Sequence, residues 1–120
     1  MRIEIKGRNM AVSDEVREHV ARRFRVIERQ VSDLAHLEIE VLHENNPSIP
    51  EAQVVRATLH LKGVTLRACK SDRDLIHCIT VVSEELGVQV KRYRDKRRKR
   101  RETRTALAHV MAGEMAQPAT

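Results

Sequence analysis

Between Leu37 and Ala68 the apolar residues fall on nearly every second position, a period that a helix cannot use and a half-buried sheet requires. Leu37, Ile39 and Val41 alternate with Glu38, Glu40 and Leu42. Val55, Ala57, Leu59 and Leu61 alternate with Val54, Arg56, Thr58 and His60, and Val64, Leu66 and Ala68 resume the pattern after Lys62-Gly63. That dipeptide reads as a tight hairpin turn, because glycine reaches positive φ at no steric cost. Glu44-Asn45-Asn46-Pro47-Ser48-Ile49-Pro50 interrupts the alternation with turn residues and reads as a polar loop. Ile3-Glu4-Ile5, continued on its polar side by Lys6-Gly7-Arg8, adds a short strand at the start of the chain.

Two stretches change to helical spacing. Ser13 precedes Asp14 and Glu15, a cap followed by acids where the helix dipole favours them. Val16, Val20, Phe24, Ile27 and Val31 then share one face, which predicts a helix over about 14–31. Ser71-Asp72-Arg73-Asp74 resembles a capping box and predicts a second helix from near Asp74, with Leu75, Ile79, Val82, Leu86, Val90 and Tyr93 as its apolar stripe. The order is strand, helix, strand, strand, strand, helix. A four-stranded sheet with both helices on its apolar face makes a two-layer α+β domain, β-α-β-β-β-α.

Charge divides the chain more sharply than its net +6 conveys. Residues 1–90 carry 13 Lys/Arg against 14 Asp/Glu, whereas residues 91–104 carry 10 against 2. Such a block must be solvated or matched by an anionic partner. The expected organisation is one α+β domain over 1–104, its second helix ending in a basic stretch at about 91–104. Residues 105–120, rich in alanine and without an apolar stripe, are expected to be a disordered tail.

In the run Lys91-Arg92-Tyr93-Arg94-Asp95-Lys96-Arg97-Arg98-Lys99-Arg100-Arg101, helical geometry gathers Arg92, Lys96 and Lys99 on one side. Lys91, Arg94, Arg98 and Arg101 gather on another, and Arg97 adds to the block. On the first helix Arg22, Arg25 and Arg29 share the outward side, with Arg23 at the flank; Glu18 and Glu28 are their alternative, intrahelical partners. Two such basic helix faces suit phosphates at two positions on folded RNA. Aromatic residues are 2% of the chain, Phe24 and Tyr93, so a sheet face that stacks single-stranded bases is disfavoured.

Other chemistry finds little support. His60, Cys69, His77 and Cys78 match no usual zinc spacing, and Asp72 and Asp74 fit helix capping better than paired acid–base work. The four glycines are dispersed, so no phosphate-cradling loop is present, and no cofactor or small-molecule substrate is expected. Two isolated cysteines fit a reducing cytosol, and the opening segment lacks the apolar run of a signal peptide, so a cytoplasmic, non-catalytic protein is expected. Three rivals stay open: a general double-stranded-RNA-binding module, an interaction protein docking an acidic partner or membrane through its basic tail, and a small hydrolase using His77 or Cys78.

Ile3-Glu4-Ile5-Lys6-Gly7-Arg8-Asn9-Met10, the helix after Ser13, Thr65-Leu66-Arg67-Ala68 before an acidic helix start, and Lys91-Arg92-Tyr93-Arg94-Asp95-Lys96 together resemble the ribosome hibernation promoting factor and ribosome-associated inhibitor family, over residues 1–97. The resemblance implies a fold like that of double-stranded-RNA-binding domains and a stress or stationary-phase role. It further implies docking on small-subunit ribosomal RNA in the decoding channel, over the messenger and transfer RNA sites. It implies that Arg23, Arg29, Arg92 and Lys96 face that RNA, whereas family members tend to carry cations where this chain has Val26, Glu85 and Val88. Gly87, within the second helix, leads to the expectation of a bend or an early end there. The chain resembles a short form, so a monomer off the ribosome is expected, with no ribosome pairing by this chain alone.

Overall fold

A computed structural model describes residues 1–44 and 52–116, with side chains through 108. The elements are β1 (Arg2–Arg8), α1 (Asp14–Arg23), α2 (Arg25–Glu28), β2 (His36–Glu44), β3 (Ala52–Leu61), β4 (Val64–Asp72) and α3 (Leu75–Ala116). The loop expected after Glu44 lies outside the described residues. The chain divides into two compact units, Met1–Val90 and Lys91–Thr120, earlier than the boundary expected at 104. The division follows the apolar residues, since Tyr93 is the one residue among 91–104 with a large apolar surface.

In the first unit the sheet order is β1-β2-β3-β4. β1 runs parallel to β2, and the other neighbours are antiparallel. The parallel pair needs a crossover, which α1 and α2 supply. Alternation then sorts the side chains: Leu37, Ile39 and Val41 of β2 and Val55, Ala57 and Leu59 of β3 are buried against the helices. Val16, Val20, Phe24 and Ile27 from the first crossover helices, and Cys78, Ile79, Val82, Leu86 and Val90 from α3, complete one apolar core. The expected α+β fold, with a four-stranded sheet and helices on one face, is thus present. Polar contacts also tie α3 to the sheet, among them Gln89 Nε2 donating to the Arg67 carbonyl at 2.7 Å and Cys78 Sγ to that of Gln53 at 3.6 Å.

Local chemistry sets the ends of the elements. Ser13 caps α1, its Oγ accepting from the Val16 amide at 3.2 Å. A Cβ on Gly7 would collide with the Met10 carbonyl oxygen, so the chain leaving β1 can turn that tightly only around glycine. Gly63 has φ of 78° in the β3–β4 turn, a conformation that glycine adopts without steric cost.

Four expectations change. The helix expected over 14–31 is interrupted at Phe24, where ψ is 0°, and its second part ends at Glu28. The bonds Phe24 N–H to Val20 O and Glu28 N–H to Phe24 O persist across the interruption, so the apolar face stays in phase and the spacing carries no trace of it. The capping box is also replaced. Ser71 and Asp72 belong to β4, and Asp74 alone caps α3, its Oδ1 accepting from the amides of Ile76 at 3.0 Å and His77 at 3.4 Å.

α3 passes through Gly87 without ending, because one glycine costs only about 1 kcal/mol against a helix otherwise pinned by Leu86 and Val90. It also continues through residues 105–116, part of the stretch expected to be disordered. Alanine, leucine, methionine and glutamate there favour the helical backbone. Residues 117–120 lie outside the described residues.

Candidate nucleic-acid interface

Burial of one side of each helix dictates what the other side presents. With Val20, Phe24 and Ile27 at 0–2% exposure, the roll of α1 and α2 is fixed, and Arg22, Arg23, Arg25 and Arg29 are all exposed. Arg22 and Arg23 occupy the last turn of α1, where the partial negative charge of the helix end favours them. Among the described residues no carboxylate lies within 4.0 Å of any of the four, so the pairing with Glu18 and Glu28 that would have neutralised them is not formed.

His19 registers this local field. Its ring is buried between α1 and α3, with Nε2 3.2 Å from Thr80 Oγ1. The Thr80 hydroxyl donates to the Ile76 carbonyl at 3.1 Å, which leaves its oxygen to accept from the histidine. Burial, then the positive charges of Arg23 and Arg22, hold the His19 pKa below its ordinary 6.5.

The second unit is a different kind of surface. Lys91, Arg92, Arg94, Lys96, Arg97 and Lys99 are exposed on a helical backbone, as are Arg98, Arg100, Arg101 and Arg104. Arg98 pairs with Asp95 at 3.7 Å and with Glu102 at 3.9 Å, and Arg97 donates to the Tyr93 hydroxyl at 3.4 Å. Those are exposed, long contacts of small worth. The remaining cations of the block have no carboxylate within 4.0 Å among the described residues.

Three positions at which the family resemblance calls for cations are on the surface too, but with other chemistry. Val26 is 60% and Val88 52% exposed, and Glu85 is exposed as well. The two valines offer phosphate no charge and the Glu85 carboxylate repels it, so any phosphate contact falls to the arginines and lysines named above.

The four residues considered for metal or nucleophile chemistry do not form one constellation. Cys78 is fully buried, and burial pushes its thiol up to about 11, so it stays protonated and inert at neutral pH. Cys69 is exposed on β4, His60 lies on the outer face of β3, and His77 is exposed 3.8 Å from Asp72. Among the described residues no helix is long and apolar enough to cross a membrane.

The fold matches that of a ribosomal subunit interface protein from Coxiella burnetii, with a TM-score of 0.65 and 18% identity over 79% of this chain and 99% of that one. It also matches the N-terminal domain of Protein Y from Thermus thermophilus, with a TM-score of 0.64 and 22% identity over 78% and 99%. These likenesses define the fold class, a two-layer α+β domain.

Residues 3–98 match the family described as sigma 54 modulation protein / S30EA ribosomal protein, and the chain belongs to that family. Its curated relatives include the ribosome hibernation promotion factors of Staphylococcus aureus, 29% identical over 78% of this chain and 48% of that protein, and of a Picosynechococcus species, 23% identical over 80% and 50%. The chain therefore spans about half the length of the curated relatives it matches.

Proposed function

We propose that this chain is a ribosome hibernation factor that binds ribosomal RNA on the small subunit and blocks translation by occupying space, without catalysis. The observation that carries the reading is the dense run of exposed, largely unpaired cations over 91–104, next in sequence to a domain that is close to neutral. The names of the S. aureus and Picosynechococcus relatives support it.

In this reading Arg22, Arg23, Arg25 and Arg29 form one contact set, and Lys91, Arg92, Arg94, Lys96, Arg97 and Lys99 form the other. Arginine forks and lysine ammonium groups neutralise backbone phosphates, releasing condensed counterions. The bound domain then sits in the decoding channel over the messenger and transfer RNA sites. Exclusion alone inhibits, so no bond is made or broken. Off the ribosome the protein is a monomer in the cytoplasm.

The test is cosedimentation with purified small subunits. Arg92→Glu with Lys96→Glu should abolish association while leaving the circular dichroism spectrum unchanged, and the unaltered protein should exclude messenger and transfer RNA from the same subunits. Undiminished cosedimentation of the double variant would overturn the proposed surface. Plain duplex RNA and anionic vesicles serve as competitors. Equal affinity for the duplex would make the protein a general double-stranded-RNA binder, and preference for vesicles a membrane-docking one.

A further inference from the structure

On the face of the sheet turned away from the core, three strands bring together residues distant in sequence. Strand register sets Glu4 of β1 opposite Glu38 of β2, and His36 of β2 opposite His60 of β3. His36 and Glu38 are two residues apart, so they share that face. His36 Nε2 lies 3.5 Å from Glu4 Oε2, and His36 Nδ1 lies 3.8 Å from Glu38 Oε1. His60 Nε2 lies 3.8 Å from Glu38 Oε2, and the two imidazoles stack with centroids 5.9 Å apart. Arg2 holds the other oxygen of Glu4, Oε1, at 3.2 Å, which leaves Oε2 directed at His36.

From this arrangement the geometry points to a divalent transition-metal site, of the zinc class, held by Glu4, His36 and Glu38, with His60 beside Glu38 at its rim. One ligand atom from each of the first three lies within 4.8 Å of the others. His36 Nε2 is inaccessible to solvent yet has no hydrogen-bond partner, and its 3.5 Å from the Glu4 carboxylate exceeds an ordinary N–H···O bond of about 2.7–3.2 Å. It is instead close to the edge of a tetrahedron whose centre is about 2.0–2.1 Å from each donor, the bond length zinc takes with imidazole and carboxylate.

The donor set also selects the ion. Mixed imidazole and carboxylate ligands suit zinc and its transition-metal neighbours, whereas magnesium and calcium want oxygen alone. Coordination through Nε2 would leave His36 Nδ1 on the side of Glu38 Oε1, 3.8 Å away, beyond hydrogen-bond distance as the side chains stand. A bound cation would also relieve the repulsion between Glu4 and Glu38, which face each other across the strands. It would bridge β1, an edge strand, to β2 directly.

The experiment is isothermal titration of the full chain with zinc, alongside thermal unfolding with zinc and with a chelator. One zinc per chain is expected, with a melting temperature that rises on addition and returns on chelation. His36→Ala and the nearly isosteric Glu38→Gln should each weaken binding by about tenfold or more and remove the thermal shift. His43→Ala and His77→Ala, at histidines outside the cluster, should change neither. Affinity should fall with pH as protons compete for the imidazoles. Absence of binding to the unaltered chain, or binding that survives both His36→Ala and Glu38→Gln, would overturn the assignment. Ribosome binding enters neither readout, so this outcome is separate from the test of the proposed function.

Discussion

Residues 1–90 and residues 91–104 are built on opposite principles. The first stretch nearly balances its charge and hides its apolar side chains; the second has ten cations and only Tyr93 to bury. Stability in the first comes from removing aliphatic surface from water, a short-range effect that depends on shape. The second gains nothing from folding against itself, and its value lies in a field that a polyanion can feel. The two stretches should therefore answer to different perturbations.

The largest expected effect on stability is in the core. Phe24→Ala, at the interruption between α1 and α2, removes a fully buried ring and should cost about 3–5 kcal/mol in urea unfolding. The Arg92→Glu, Lys96→Glu variant, at exposed sites, should stay within about 0.5 kcal/mol of the parent. If the two variants were equally destabilised, the contrast between the regions would be wrong.

An intermediate effect sits at His19, where the two kinds of physics meet. Its folded pKa is held below 6.5 by burial and by Arg23 and Arg22, so the unfolded chain takes up a proton first as pH falls. Stability should be complete above 6.5, decline as pH drops through that value, and level off below the lowered folded pKa. His19→Gln should flatten that part of the profile of urea midpoint against pH; an unchanged profile would show that His19 does not govern it.

The smallest effect sharpens the reading of α3. An added Cβ at Gly87 meets nothing within 4 Å, so Gly87→Ala should raise stability by up to about 1 kcal/mol. A loss of stability in the same unfolding assay would mean that glycine is required there.

How legible these features were in the sequence depended on range. The strands, their turn at Lys62-Gly63, and the cap at Ser13 are local and periodic, and they appear where the pattern puts them. The interruption at Phe24 escaped because periodicity reports which side chains are buried, and that did not change. The cap at Asp74 was blurred by the extension of β4 through Asp72, which propensity does not reveal. The ten-cation block was plain from composition. The cluster of Glu4, His36, Glu38 and His60 was invisible, because only the pairing of β1 with β2 and β2 with β3 makes neighbours of them.

The most direct measurement of the central claim is the salt dependence of affinity for small subunits. For six to eight phosphate contacts, the logarithm of the binding constant should fall by roughly 0.7–0.9 per phosphate for each tenfold rise in salt. Partial loss of the cations, as in Arg92→Ala, should make that slope shallower by about one phosphate's share. A binding constant indifferent to salt would contradict an interface built on the positive charge of residues 91–104.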